Sequence, residues 1–324
     1  MRREVLAAAV VFSFLLPVFA GGAAEVSPRL GPSECADIPD DGDRLACYDR
    51  LSSGAPGQGE APSRLSRLWE LDRDSRRAKY AITPYRSSYI LPYSYNETPN
   101  EAPVREAEPG KTVQKQEVKF QISFKTKLWQ DVLGRDLDLW AGYTQLSFWQ
   151  FYNFDQSAPF RETDYEPELL LNVRTDYRFL GFRGRYVNAG LNHQSNGRGE
   201  PLSRSWNRAV ANAGFEKDNV IVVLSGWYRI PEDEREDDNP GIERFLGYGQ
   251  ISVDSLWRGH RFALFLRNNM RWRGNKGAVQ IDWSFPLIPR VNGYVQYFNG
   301  YVESLLDYNA SANRIGVGFI LKDW

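Results

Sequence analysis

Eleven segments of this chain alternate apolar and polar residues for long enough to constrain its fold more than any other feature. In the first, Val118, Phe120, Ile122 and Phe124 alternate with Lys119, Gln121, Ser123 and Lys125. Period two describes a strand with one apolar and one polar face. The pattern recurs as Leu169, Leu171, Val173 and Tyr177 against Glu168, Asn172, Arg174 and Asp176. It returns as Phe262, Leu264 and Leu266 against Arg261 and Arg267, and as Val279, Ile281, Trp283 and Phe285 against Gln280, Asp282 and Ser284. The last segment runs Ile315, Val317, Phe319, Leu321 toward Trp324, which falls out of phase. The segments lie at about 117–128, 136–150, 168–179, 183–194, 205–216, 220–230, 243–256, 259–272, 277–286, 290–302 and 313–322. Most run to about 10–14 residues, the length that crosses a bilayer at a tilt. A soluble β-sandwich would show shorter strands.

Membrane barrels of bacteria carry an even strand number. Ile82–Tyr95, rich in Tyr, Ser and Ile, supplies the missing strand and brings the count to twelve. Composition agrees: 10 Trp, 17 Tyr, 18 Phe and 27 Gly against 2 Met, 2 Cys and 2 His suit an all-β chain. The expected fold is therefore a transmembrane antiparallel β-barrel with apolar side chains toward lipid and polar ones inside. A net charge of −1 excludes a nucleic-acid binder built on bulk positive charge. An aromatic content of 14% excludes an acidic disordered chain.

The N-terminus fits export. Arg2 and Arg3 precede a mostly apolar run from Val5 to Ala20, and small residues follow through Ala24. That is the pattern of a secretory signal peptide over residues 1–24, with cleavage after Ala20 or Ala24. The run is shorter than the ~20 residues of a spanning helix. Residues 25–81 then read as a polar periplasmic extension, with a short helix around Arg64–Lys79. Cys35 and Cys47 lie in it, and in an oxidising compartment they are expected to close one small disulfide loop. The barrel domain is expected over 82–324, interrupted by a polar stretch at 96–115 that holds Pro99, Pro103 and Pro109.

The chemistry concentrates in the hairpin at 183–216. One face of its first strand carries Val187, Ala189, Leu191, His193 and Ser195; one face of the second carries Asn207, Ala209, Ala211, Ala213 and Phe215. His193, Ser195 and Asn207 thus continue an apolar, lipid-facing row near the open end of the hairpin. Polar groups cost several kcal/mol in hydrocarbon, so their presence there suits a group that acts on lipid. A His beside a Ser with an Asn on the neighbouring strand has the logic of a hydrolase triad: Ser195 attacks, His193 takes its proton, Asn207 orients the imidazole. His-x-Ser alone is a weak motif; the shared lipid-facing phase gives it weight.

Strand parity puts the loops at about 151–166, 195–204 and 231–242 on one side and the short turns near Leu180–Phe182 and Lys217–Asn219 on the other. Ser157, the His193–Ser203 segment and the acidic run Glu232–Asp238 then share the outer rim. Glu200, Asp233, Asp237 and Asp238 are hard oxygen donors suited to Ca²⁺, although on sequence alone a solvated charge run explains them as well. A divalent ion near a developing oxyanion would stabilise it.

Asn192–His193–Gln194–Ser195–Asn196–Gly197–Arg198, followed by Ser203–Arg204–Ser205–Trp206–Asn207–Arg208, closely resembles the signature of the outer-membrane phospholipase A family. Pro159–Thr163, Tyr165–Pro167, Asp237–Pro240 and Glu303–Leu305 match it too. The resemblance spans roughly Val118 to the C-terminus, with the extension through residue 80 outside it. It implies a twelve-stranded outer-membrane barrel that hydrolyses acyl esters of phospholipids and lysophospholipids, depends on calcium and becomes active as a homodimer. His193, Ser195 and Asn207 match the family's triad, and the Gly197 N–H falls where the family places an oxyanion donor. Arg198 and Ser203 match calcium positions through carbonyl groups, Ser157 one contributed by the partner subunit, and Asp238 a calcium-site carboxylate. Glu200 stands where the family usually has Asp. Gln145 matches a polar residue at the family's dimer interface, on the same lipid-facing row as Leu137, Leu139, Ala141 and Tyr143. The competing reading is a non-catalytic barrel, either a channel lined by Lys119, Lys125, Arg174 and Arg267 or a structural anchor for the N-terminal extension. Glu168, Asp176 and Asp282 share that interior, so a packed ionic network is expected instead.

Overall fold

The computed structural model describes residues 35–52, 62–233 and 235–322, so the signal peptide expected at 1–24 and Trp324 lie outside the described residues. The chain divides into two compact units, Met1–Ser63 and Arg64–Trp324. In the first, helix α1 (Asp41–Ser52) starts where the Asp40 carboxylate accepts from the Gly42 and Asp43 N–H groups, each at 2.9 Å. Such an N-cap satisfies donors the first turn leaves free. Cys35 and Cys47 form the expected disulfide, with their Cα atoms 5.6 Å apart.

The second unit is a closed antiparallel barrel. Its strands are β1 (Ile82–Pro84), β2 (Tyr89–Asn96), β3 (Gln116–Trp129), β4 (Leu137–Trp149), β5 (Phe160–Phe179), β6 (Phe182–Ser195), β7 (Ser205–Lys217), β8 (Val220–Arg229), β9 (Gly249–Trp257), β10 (His260–Asn268), β11 (Gly277–Ile288), β12 (Val291–Tyr301) and β13 (Ser311–Leu321). From β3 onward each strand pairs with the next, and β13 returns to β2, which pairs with β3. Both β1 and β2 lie along β3, Ile82 opposite Thr126 and Tyr89 opposite Gln121. They fill one stave between them, which gives a twelve-stave barrel.

The single first strand expected at Ile82–Tyr95 is thus broken at residues 85–88. There, side-chain bonds stand in for the ladder. Arg86 N donates to Ser123 Oγ and Ser123 N to Ser88 Oγ, each at 3.0 Å. The break turns Arg86 into the lumen, where it reaches Glu166 at 2.7 Å and Glu168 at 2.8 Å. Three other boundaries move. Glu243–Leu246 is a short helix, so β9 starts at Gly249; β10 ends at Asn268. β5 starts at Phe160, earlier than expected, because Arg161, Glu162, Asp164, Glu166 and Glu168 all point inward and hide its alternation behind charge.

Face selection follows the pleat. Leu169, Leu171, Leu191, Ile251, Ile281, Ile315 and Val317 are exposed on the outer wall, where lipid meets them. Inside, buried charges pair. Lys119 bonds Glu303 at 2.9 Å, Arg161 bonds Glu117 at 2.6 Å and Asp307 at 2.7 Å, and Arg314 bonds Glu117 at 2.8 Å and Glu303 at 2.9 Å. Lys125 instead donates to the Pro84 carbonyl at 2.8 Å and lies 4.6 Å over the Trp69 ring. Arg267 donates to the carbonyls of Tyr301 and Val302 at 2.7 and 2.9 Å. This is the expected internal network rather than an open pore. Asp176 is a correction: a register shift in β5 between Arg174 and Tyr177 carries it to the exposed turn end, where it pairs with Arg183.

The domain boundary expected at residue 81 also differs, because Arg64–Tyr80 belongs with the barrel. Helix α2 (Arg64–Trp69) buries Leu65 and Trp69 against Trp140, Leu170 and Tyr186 inside the lumen. Its neighbours anchor it with charge: Arg64 to Asp254 at 2.7 Å and Lys127 to Glu70 at 3.0 Å. The short turns Leu180–Gly181 and Arg258–Gly259 have positive φ at both residues. That is the two-residue hairpin geometry whose twist matches the strands it joins. The long connections, 151–159, 196–204, 230–248, 269–276 and 302–310, all open at the opposite rim.

Candidate active site

Antiparallel register builds the site across three strands. On the outer wall, His193 of β6 stands directly opposite Asn207 of β7, and Ser195 stands between Tyr165 of β5 and Ser205 of β7. Gln145 of β4 continues that second row, opposite Tyr165. His193 is exposed, as are Leu191 beneath it and Ala209 beside it, so the three polar groups share the lipid-facing surface that parity predicts.

His193 Nδ1 and Asn207 Oδ1 are 2.9 Å apart. The amide oxygen can only accept, which assigns the proton to Nδ1 and leaves Nε2 as the free basic nitrogen. Asn207 Nδ2 donates to Glu232 Oε1 at 3.0 Å. The Gly197 N–H donates to Ser195 Oγ at 3.1 Å. A backbone donor is therefore already at the serine oxygen, with the loop turning at Gly197.

That loop, 196–204, is braced from inside the barrel. Asn196 is buried, and its side chain ties both ends: Oδ1 accepts from Arg198 N at 3.2 Å and Arg204 N at 3.0 Å, while Nδ2 donates to Leu202 O at 2.8 Å and Glu162 Oε1 at 3.1 Å. Glu162 Oε1 also accepts from Leu306 N at 3.0 Å, joining this loop to the 302–310 loop. Arg198 Nη2 donates to the carbonyls of Phe160 and Arg161 at 2.9 and 2.8 Å. Sequence reading did not single out Asn196, Glu162 or Glu232. The one signal available was parity: Glu232 continues the outward row of Tyr228 and Ile230.

The acidic groups expected to gather for a cation do not all gather. Among the described residues, no three His, Cys, Asp or Glu side chains are grouped to hold a metal ion. Asp237 bonds Arg229 at 2.5 Å, Asp233 accepts from Arg235 N at 3.0 Å, and Glu200 is exposed. Loop geometry explains the dispersal, since Asp237 and Asp233 find local donors and Glu200 faces solvent. Asp238 is the exception: it accepts from Ser203 Oγ at 2.5 Å and from Ser205 Oγ at 3.3 Å. Ser157, with φ of +61°, closes a turn on the 151–159 loop at the same rim. Gln145 is bonded within its own strand, accepting from Tyr143 Oη and donating to Ser147 Oγ, each at 3.2 Å.

Comparison with known proteins places this architecture. A family model described as phospholipase A1 matches residues 65–321. A phospholipase A1 of Klebsiella pneumoniae is 39% identical over 244 residues, 75% of this chain and 83% of that protein. A putative phospholipase A1 of Neisseria meningitidis serogroup B is 35% identical across 90% of both chains. Outer membrane phospholipase A from Escherichia coli superposes with a TM-score of 0.70 at 38% identity, covering 74% of this chain and 94% of that one. An outer membrane phospholipase dimer of Salmonella typhi with bound calcium gives 0.73 at 35% identity, covering 82% and 99%. The family match starts inside α2, so the likeness includes the luminal helix that sequence reading leaves outside it. The chain belongs to the phospholipase A1 family and is an outer-membrane β-barrel phospholipase.

Proposed function

We propose that this phospholipase cleaves acyl ester bonds of phospholipids and lysophospholipids with Ser195 as nucleophile, His193 as general base and Asn207 as the group that orients the imidazole. The observation that carries the reading is the 2.9 Å His193–Asn207 contact on the lipid-facing wall, with the Gly197 N–H 3.1 Å from Ser195 Oγ. Ser195 Oγ adds to the ester carbonyl carbon while His193 Nε2 takes its proton. The carbonyl oxygen becomes an oxyanion, which the Gly197 N–H is placed to stabilise. The C–O bond to the glycerol oxygen then breaks, and the imidazolium returns the proton to that leaving oxygen. Water, deprotonated by the same imidazole, releases the fatty acid from Ser195.

Calcium and a homodimer belong to the same proposal. The Ser203 hydroxyl and the Asp238 carboxylate supply hard oxygen donors, and the 196–204 loop adds the Arg198 and Ser203 carbonyls, a donor set of the kind Ca²⁺ takes. Ser157 of a second copy and Glu200 would complete it. When bound there, the cation supplies positive charge near the developing oxyanion. Gln145, on the lipid-facing row with Tyr165, is positioned to exchange its intrastrand bonds for one across a dimer interface. The Salmonella typhi relative, a dimer with bound calcium, supports both parts.

The test is fatty-acid release from mixed phospholipid–detergent micelles, with calcium and then with excess chelator. Calcium-dependent release that Ser195→Ala abolishes, in a barrel that still shows heat-modifiable migration, is the expected result. Turnover by Ser195→Ala would overturn the nucleophile assignment, and turnover indifferent to chelator would remove calcium from it.

A further inference from the structure

The Asn207 amide is held at both ends. Its oxygen faces His193, and its nitrogen donates to Glu232 Oε1 at 3.0 Å. The sheet itself brings Glu232 there. The Ile230 N–H donates to the Asn207 carbonyl at 2.8 Å, extending the β7–β8 pairing past Arg229, and Glu232 follows Tyr228 and Ile230 on the outward face. Its side chain is only 17% exposed, and Arg229 Nη2 stands 3.6 Å from its other oxygen. Arg229 also bonds Asp237 at 2.5 Å and lies 3.8 Å from Glu243. Glu232 is thus a shielded carboxylate with one cation behind it and the Asn207 amide in front.

We infer that Glu232 is a positioning residue for the hydrolytic site, the fourth member of a row that runs Ser195, His193, Asn207, Glu232. The inference rests on the proposed roles of the first three. An amide can present either its oxygen or its NH₂ to an imidazole, and only the oxygen accepts the Nδ1 proton. A carboxylate accepts and never donates, so Glu232 claims the NH₂ and turns Oδ1 toward His193. Its negative charge also polarises the amide, making Oδ1 a stronger acceptor at the moment the imidazole becomes cationic. The carboxylate that a Ser-His-Asp triad places next to its histidine stands here one residue further out, acting through an amide.

The experiment measures kcat and KM for fatty-acid release by the full chain in calcium-containing mixed micelles. Glu232→Ala is expected to lower kcat by about tenfold to a hundredfold, as loss of a supporting hydrogen-bond partner does at other sites, with KM within about twofold of the parent. A kcat within twofold of the parent overturns the inference. The second arm guards against misfolding and separates orientation from bulk. Asn207→Asp places two carboxylates in contact and should lower kcat. Glu232→Gln, which lowers kcat in the parent, should raise it in the Asn207→Asp background, because the introduced amide can then donate to the introduced carboxylate. Loss of activity of the same size in both backgrounds overturns the inference. Ser195→Ala run beside these variants keeps the two readings apart: residual turnover there refutes the triad, whereas a silent Ser195→Ala with a neutral Glu232→Ala refutes only the role of Glu232.

Discussion

Trp69→Ala should release the luminal helix without dissolving the barrel. Trp69 is 3% exposed, with its ring centroid 5.8 Å from Tyr85, 5.7 Å from Trp140 and 5.1 Å from Tyr186, and with Lys125 Nζ 4.6 Å over its face. Truncating a buried Trp to Ala costs about 3–5 kcal/mol. At about 4 kcal/mol, and about 1.4 kcal/mol per decade, the population of barrels with α2 undocked should rise roughly a thousandfold. Undocking lets the segment that carries Arg64, Arg67, Arg73, Arg76 and Arg77 extend into the cleft of trypsin, which the docked backbone around the already exposed Arg73 and Arg77 does not. Cleavage of a briefly opened segment tracks its open population while reclosing is faster than cutting. Trypsin digestion of the folded protein in detergent, followed by mass spectrometry, should show cutting within 64–77 accelerate steeply while the barrel fragment stays intact and heat-modifiable. Cutting within about threefold of the parent rate would refute the claim that Trp69 holds the helix, and would move that role to the ion pairs of Arg64 and Lys127.

The buried charges offer a second check. Glu117→Ala leaves Arg161 and Arg314 without a shared partner inside the barrel, a change that costs about 3–5 kcal/mol, and urea unfolding in micelles should register it. Asn196→Ala frees both ends of the 196–204 loop, and a loss of one aimed backbone donor predicts a fall in kcat of up to about a hundredfold with unchanged heat-modifiable migration. Gln145→Ala should weaken self-association by about threefold to fifteenfold, the range for interhelical hydrogen bonds of about 0.6–1.7 kcal/mol measured in membranes, read by chemical cross-linking against protein-to-detergent ratio.

How much of this was legible in the sequence depends on what each feature needs from distant residues. Strand alternation needs nothing distant, so β3, β6, β7 and β11 are visible in the residues, and His193 and Asn207 fall on one wall by counting alone. The pairing of β6 with β7, which the 196–204 loop joins, then makes them face each other. The first half of β5 was hidden because its inward residues are charged and find their partners on other elements: Glu166 and Glu168 pair with Arg86, Glu166 also with Arg208, and Arg161 with Glu117 and Asp307. The short helix is expected at Arg64–Lys79, but its docking in the lumen was hidden for the reverse reason: Leu65 and Trp69 find their apolar neighbours only once Trp140, Leu170 and Tyr186 line the lumen. Glu232 sits in a run of acids in which Asp237 serves Arg229, Asp238 serves Ser203 and Asp233 accepts from the Arg235 N–H, and only the edge of β8 singles it out.

His193, Ser195 and Asn207 sit on the outside of the barrel, on the surface that lipid touches. On the proposed assignment, an acyl chain reaches them by moving sideways in the membrane, without crossing water or entering the protein. Turnover should therefore scale with the mole fraction of accessible phospholipid in the surface around the barrel. Diluting the whole suspension, which lowers every bulk concentration but leaves that fraction unchanged, should leave the rate per enzyme unchanged as long as the active assembly stays together.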